Sequence, residues 1–129
     1  MLQLNSIHHI AIICSDFQRS KDFYTKVLGF EILAETYREA RDSYKLDLTL
    51  KGQYVIELFS FPNPPSRVSR PEARGLRHLA FEVNDVAQEK EKLAAAGVTS
   101  EEIRIDELTG KKFTFFEDPD GLPLELYEK

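Results

Sequence analysis

Residues 9–16 read HIAIICSD, and residues 78–85 read HLAFEVND. Both stretches contain His, an apolar residue, Ala, an apolar residue, two further residues and then a small polar residue before Asp, and they lie 69 residues apart. A second matching pair, IELF at residues 56–59 and LELY at residues 124–127, lies 68 residues apart. Because both matches occur at nearly the same offset, they indicate an internal repeat in which each copy is one structural unit.

The same order of secondary structure is predicted in each copy. Apolar residues on both faces of residues 6–13 and 76–83 predict a buried strand at the start of each copy. A helix follows each strand; Asp16 or Ser20 is expected to cap the first helix and Asp85 the second. Each helix ends at a glycine, and these two glycines again lie 68 residues apart. Three further strands complete each copy, at residues 31–38, 44–51, 54–60, 101–105, 111–117 and 123–128.

This pattern predicts an α+β fold made of two βαβββ modules. Module 1 covers about residues 4–61, and module 2 covers about residues 76–129. A proline-rich linker at residues 62–75 breaks regular structure between them. We expect the modules to form a single domain over residues 1–129.

The composition excludes several classes of protein. The chain has 129 residues, is 42% hydrophobic and 30% charged, and is therefore expected to be globular. Its net charge of −5 offers no basic surface for nucleic acid. Its apolar stretches are much shorter than a membrane span, so we expect no membrane association and a cytoplasmic location. A single cysteine excludes an intrachain disulfide and any zinc site built from several thiolates.

Four side chains with metal-binding chemistry recur at matching places in the two copies, namely His9 and His78, and Glu57 and Glu125. Strand alternation places all four on the face opposite the apolar face that packs on the helix. A carboxylate inside an apolar strand is costly without compensation, which a divalent metal ion provides. Imidazole and carboxylate ligands suit Ni(II), Zn(II), Co(II), Mn(II) or Fe(II). The alternative is that these residues are core histidines and salt-bridged glutamates. This alternative is favoured for any one of them taken alone, whereas the metal site is favoured for all four in register.

Nearly the whole chain resembles the vicinal oxygen chelate superfamily and, within it, glyoxalase I (lactoylglutathione lyase). HHIAIICSDFQRSKDFYTKVLGFE at residues 8–31 is similar to the first strand and helix of that family, and YVIELF at residues 54–59 to its fourth strand. GLRHLAFEVNDV at residues 75–86 resembles the opening of the second module, and FFEDPDGLPLELYE at residues 115–128 the closing turn and strand.

The resemblance implies that the two modules form a cupped mixed sheet around a metal site. It also implies an enzyme, namely a metal-dependent lyase or isomerase. It implies that His9, Glu57, His78 and Glu125 hold one divalent metal ion. The substrate would be a small α-oxo or α-hydroxy adduct, such as the adduct of methylglyoxal with glutathione, that reacts through a metal-bound enediolate. Glu57 and Glu125 are the expected catalytic residues, with Glu125 favoured as the base. His8 is out of register with the second copy and is expected to be a strand residue or a neighbour of the ligands.

Two departures from glyoxalase I concern glutathione. Ile13 replaces an arginine of that family, and Phe61 and Pro62 replace its Asn-Trp pair. Arginines in or beside the second strand and the linker are candidates to bind an anionic group of the substrate instead, and we single out Arg38 and Arg77.

Two other functions remain open within the same superfamily. One is an oxygenase or an antibiotic-modifying enzyme similar to the fosfomycin group; the other is a binding protein similar to bleomycin-resistance members. We also expect a homodimer, because two half-domains leave sheet edges and an open face that a second copy would cover.

Overall fold

The computed structural model describes residues 1–129, and the chain divides into two compact units, Met1–Pro65 and Ser66–Lys129. Each unit contains a strand, a helical segment and three further strands, which confirms the two predicted βαβββ modules. Module 1 comprises β1 (Ile10–Cys14), α1 (Phe17–Asp22) continued by a π-helical turn (Phe23–Val27), β2 (Glu31–Arg38), a short 3-10 turn (Glu39–Arg41), β3 (Ser43–Leu50) and β4 (Gln53–Ser60). Module 2 comprises β5 (Leu79–Val83), α2 (Val86–Ala95), β6 (Arg104–Ile105), β7 (Lys112–Glu117) and β8 (Pro123–Glu128).

The two modules have the same sheet topology. The strand order is β1-β4-β3-β2 in module 1 and β5-β8-β7-β6 in module 2. In both sheets the first strand runs parallel to the last strand of its module, and the other pairs are antiparallel. Each four-stranded sheet is therefore mixed, and equivalent residues of the two copies occupy equivalent places.

Asp85 caps the second helix as predicted, and of the two candidates for the first helix Asp16 is the cap, whereas Ser20 lies inside the helix. The side chain of Asp16 accepts a hydrogen bond from the backbone N–H of Arg19, and that of Asp85 accepts one from Gln88. These bonds satisfy backbone donors that the first turn of a helix leaves without partners. Neither helix is long and apolar enough to cross a membrane.

The first strand of each module is shorter than predicted and begins directly after its histidine. In module 1, β1 starts at Ile10, which pairs with Ile56; the preceding residue of β4, Val55, is an unpaired extra residue that interrupts the ladder. In module 2, β5 starts at Leu79, which pairs with the second residue of β8. The first residue of β8 is Pro123, which has no N–H to donate. Both histidines consequently lie at the point where regular pairing begins.

The core of each sheet lies on one face. In module 1, Leu46, Leu48, Ile56 and Leu58 are fully buried, whereas Ile13 on the other face is 54% exposed. In module 2, Leu124, Leu126 and Phe116 are buried in the same manner. Burial of these apolar side chains is the main stabilising contribution of each module. It also leaves the opposite face of each sheet open, and that face carries the predicted ligands.

Candidate functional site

The open face of module 1 brings His9 and Glu57 together. Glu57 pairs across the sheet with Ala11 of β1, two residues beyond His9, so both side chains emerge on one face. The distance between His9 Nε2 and Glu57 Oε2 is 3.2 Å. The Glu57 side chain is only 14% exposed, so its charge is held largely out of water.

Module 2 repeats this arrangement with His78 and Glu125. Glu125 pairs with Ala80, which again stands two residues beyond the histidine. The distance between His78 Nε2 and Glu125 Oε2 is 3.0 Å, and the Glu125 side chain is 11% exposed.

Tyr54 also reaches Glu57, although simple alternation along β4 would direct it to the buried face. Between the pairs Leu48–Ile56 and Thr49–Tyr54, the extra residue of β4 forms a β-bulge, and this places Tyr54 on the open face. Its hydroxyl lies 2.7 Å from an oxygen of Glu57 and 2.7 Å from an oxygen of Asp47. Burial, followed by the bonds to these two carboxylates, raises the pKa of Tyr54 well above its usual value of 10, so the phenol remains a proton donor.

Asp47 is the cross-strand partner of Glu57, and it completes a polar network in module 1. Lys45 Nζ lies 2.9 Å from one of its oxygens. Burial raises the pKa of Asp47, but the hydrogen bonds from Tyr54 and Lys45 outweigh burial, so the pKa lies below its usual value. His8 joins the edge of this network, with its Nδ1 2.8 Å from Nδ1 of His9 and its ring 5.2 Å from that of Tyr54.

The surroundings of Glu125 are aromatic where those of Glu57 are polar. Its cross-strand partner is Phe115, at the place that Asp47 occupies in module 1. The ring of Phe115 meets that of His78 edge to face at 5.0 Å, and the Arg104 guanidinium lies 5.5 Å from the Phe115 ring centre. No hydroxyl donates to Glu125, whose one side-chain partner is His78. The two His–Glu pairs therefore share a geometry and differ in their neighbours.

Each His–Glu pair suits two neighbouring positions on a metal ion. Two donor atoms at about 2.1 Å from one ion, and about 90° apart, lie about 3.0 Å from each other. The observed separations of 3.2 Å and 3.0 Å match this value, and they are also those of a direct imidazole–carboxylate ion pair. Within the chain, no group of three or more His, Cys, Asp or Glu side chains lies close enough to hold a metal ion. Each module thus presents one two-donor pair.

The two arginines predicted to bind substrate have different surroundings. Arg77 is exposed, and its Nε lies 3.0 Å from an oxygen of Glu72. Arg38 has no carboxylate partner; its Nη2 donates to Ser43 Oγ at 2.9 Å, and its guanidinium lies over the ring of Phe59 at 4.8 Å. Arg38 is on the same face as Glu57, whereas Arg77 is an already neutralised surface cation.

Sequence reasoning missed Tyr54 and Asp47. The signal for Asp47 was available, because Leu46, Leu48 and Leu50 alternate with polar residues and so turn Asp47 to the open face. Finding Tyr54 required the position of the β-bulge.

With the site described, the chain can be compared with known proteins. Residues 6–126 match the model of the family described as the glyoxalase/bleomycin resistance protein/dioxygenase superfamily. The chain belongs to this superfamily. The match includes both His–Glu pairs and both modules.

Among its relatives in this superfamily, the uncharacterized protein YwkD of Bacillus subtilis is 64% identical, with 98% of each chain covered. The uncharacterized protein YaeR of Escherichia coli is 62% identical over the full length of both chains. A glyoxalase family protein from Enterococcus faecalis, of known crystal structure, is 50% identical with a TM-score of 0.89, covering 95% of this chain and 97% of that one. A more distant relative, lactoylglutathione lyase of Escherichia coli O157:H7, is 34% identical over 94% of this chain and 90% of its own.

Proposed function

We propose that this superfamily member is a divalent-metal-dependent lyase or isomerase of the glyoxalase I type. Its substrate would be a small α-oxo or α-hydroxy adduct with two neighbouring oxygen atoms. The observation that supports this proposal is the recurrence of one His–Glu pair, with the same geometry and register, in both modules. The 34% identity with a lactoylglutathione lyase supports the same class of reaction.

In this proposal the metal ligands are His9, Glu57, His78 and Glu125. The proposal does not require both pairs to come from one chain, because a homodimer presents two copies of each pair. When bound, a divalent ion supplies a Lewis acid that stabilises negative charge developing on the oxygen atoms of the substrate.

The two glutamates would have different tasks. The Tyr54 hydroxyl lies 2.7 Å from an oxygen of Glu57 and 2.7 Å from an oxygen of Asp47, so its one proton is shared between the two carboxylates and restricts the orientation of Glu57. Glu125 lies beside Phe115 and has no such donor. We therefore assign Glu57 as the fixed ligand and Glu125 as the base that moves a proton between neighbouring carbon atoms of the substrate.

The test is an assay of the metal-loaded protein on methylglyoxal, with and without glutathione, using E125Q, E57Q and the exposed control E91Q. We expect E125Q to lower kcat by about 100-fold or more. We expect E57Q to weaken metal binding first, and E91Q to behave as the wild type. An E125Q variant that retains bound metal and full activity would refute the assignment of the base.

The product of the same assay distinguishes the proposal from its alternatives. Formation of lactoylglutathione supports the glyoxalase reaction with glutathione as the thiol. If the protein binds metal but does not form this product from methylglyoxal and glutathione, the result would favour another adduct, an oxygenase, or an antibiotic-modifying enzyme similar to the fosfomycin group.

A further inference from the structure

The end of the β2–β3 hairpin on the open face of module 1 contains a cation without a counter-ion. Arg38 is the last residue of β2, and it pairs with Ser43, the first residue of β3. The turn between them returns the chain through Asp42, whose φ of 45° is left-handed. This tight return holds Arg38 against the fully buried Ser43, whose hydroxyl accepts a hydrogen bond from Nη2.

The guanidinium of Arg38 is set on an aromatic platform. The guanidinium carbon Cζ lies 4.8 Å from the ring centre of Phe59 and 5.7 Å from that of Phe61. These two rings are themselves stacked, with their centres 5.9 Å apart. Every other arginine of the chain is exposed, whereas Arg38 is half-buried. A planar guanidinium stacked in this way loses little freedom when it binds a planar or tetrahedral oxyanion.

The charge of Arg38 is not neutralised by the protein. Its Nε–H is shielded from solvent and has no hydrogen-bond acceptor. Asp47, a carboxylate on the same face of the sheet, is already occupied by Lys45 and Tyr54. A half-buried cation without a partner is unfavourable, and an anionic ligand would remove this cost.

The position of Arg38 relative to the predicted ligands determines how far from Glu57 such an anion would bind. Phe59 stands two residues beyond Glu57 on the same face of β4, or about 7 Å along the strand. A ligand whose chelating oxygens lie at Glu57 would thus reach Arg38 with an arm of about this length.

We propose that Arg38 forms an oxyanion subsite, and that the substrate carries a carboxylate or phosphate about 7 Å from its reacting oxygens. This inference rests on the proposed function for the position of the reacting oxygens. The subsite itself lies within module 1 and needs no metal ion.

The first experiment tests the subsite in the metal-free protein. The Nε–H signals of a 15N-arginine-labelled sample are recorded by NMR during titration with succinate and, separately, with inorganic phosphate. The signal of Arg38 is identified by its loss in R38K, and the exposed Arg41 serves as an internal control. We expect a saturating shift of the Arg38 signal that the Arg41 signal does not share. The anion that binds more tightly shows whether the subsite prefers a carboxylate or a phosphate group. A signal that does not shift, or shifts linearly with both anions, would overturn the proposal.

The second experiment measures binding of adipic acid monohydroxamate to the metal-loaded protein by calorimetry, with its neutral methyl ester as the matched probe. The hydroxamate chelates through two neighbouring oxygens, and the carboxylate arm extends toward Arg38. We expect the acid to bind about tenfold more tightly than the ester in the wild type and in R41Q, and equally in R38Q. A purely structural role for Arg38 would not change this ratio.

The outcomes separate the two proposals. If the acid and the ester bind equally to the wild type, the Arg38 subsite is refuted while chelation stands. If neither hydroxamate binds but succinate or phosphate shifts the Arg38 signal, the metal proposal fails and the subsite stands.

Discussion

Replacing Tyr54 by Phe tests the network that distinguishes module 1 from module 2. The substitution keeps the ring and removes the hydroxyl that lies 2.7 Å from both Asp47 and Glu57. A phenol has one proton to donate, so the change removes one charge-assisted hydrogen bond. It also leaves two carboxylates, each of whose side chains is 14% exposed, facing each other across the sheet.

The expected loss of stability follows from this geometry. A hydrogen bond to a charged group contributes about 1.5–3 kcal/mol, so we expect Y54F to lower the unfolding free energy of the metal-free protein by about 2 kcal/mol. The assay is urea unfolding followed by circular dichroism. The control is Y37F, which removes a 2.6 Å bond to Asp42 at a residue that is 49% exposed, and which should lower the unfolding free energy by much less than Y54F does.

The same variant has a second readout that a general loss of stability would not move. If Tyr54 orients Glu57 as a ligand, Y54F should weaken divalent metal binding by about tenfold or more, with Y37F unchanged. An unfolding free energy for Y54F within about 0.5 kcal/mol of the wild type, together with unchanged metal affinity, would refute the reasoning.

Two further predictions concern turns. Gly52, with φ of 78°, follows Lys51 in the two-residue turn between β3 and β4. Because a side chain is strained at this φ and Asn tolerates it better than Ala, G52A should lower the unfolding free energy by about 1 kcal/mol and G52N by less, measured by urea unfolding. Equal losses in the two variants would exclude backbone strain as the cause. The backbone N–H of Leu108, and then the hydroxyl of Tyr127, hold the pKa of Asp106 below its usual value. Because the folded-state pKa is lowered, the contribution of Asp106 is present above its unfolded-state pKa and is lost as the pH falls through the folded-state pKa. The stability difference between wild type and D106N should shrink over that range, and a difference independent of pH would contradict this.

Much of the fold could be predicted from the sequence because most of the strand and helix patterns occur twice, once in each copy of the repeat. The helix starts at Asp16 and Asp85 and the turn at Lys51 and Gly52 are local features, set by side-chain capping and by positive φ. The first strands were predicted too long, because their starts depend on where the partner strand stops pairing regularly. Val55 is unpaired in one module, and a proline without an N–H begins the partner strand in the other.

The polar network around Glu57 shows why pairing register is harder to predict than strand position. A two-residue turn pairs odd-numbered residues with even-numbered ones, as the observed pair Leu50–Gln53 does. Leu48 and Ile56, however, are both even-numbered and both must face the core. One extra residue in β4 resolves this conflict, and its position determines that Tyr54 joins the open face.

The His–Glu pairs were predictable as pairs because alternation and the repeat both point to the same face. The difference between them was not, since it depends on cross-strand neighbours: Asp47 beside Glu57, and Phe115 beside Glu125. Likewise, the sequence contains several arginines that could each bind an anion, and only the folded chain separates Arg38, which is half-buried and stacked over Phe59, from the exposed others.

The most direct test of the account is the stoichiometry and affinity of divalent metal binding. The metal-stripped protein is titrated with Ni(II), Zn(II), Co(II) and Mn(II) by calorimetry, and metal content is confirmed by elemental analysis. We expect one ion per chain in the wild type, and loss of tight binding in both H9A and H78A, because each removes one nitrogen ligand of the proposed site. Absence of stoichiometric metal, or binding that survives both substitutions unchanged, would contradict the central claim.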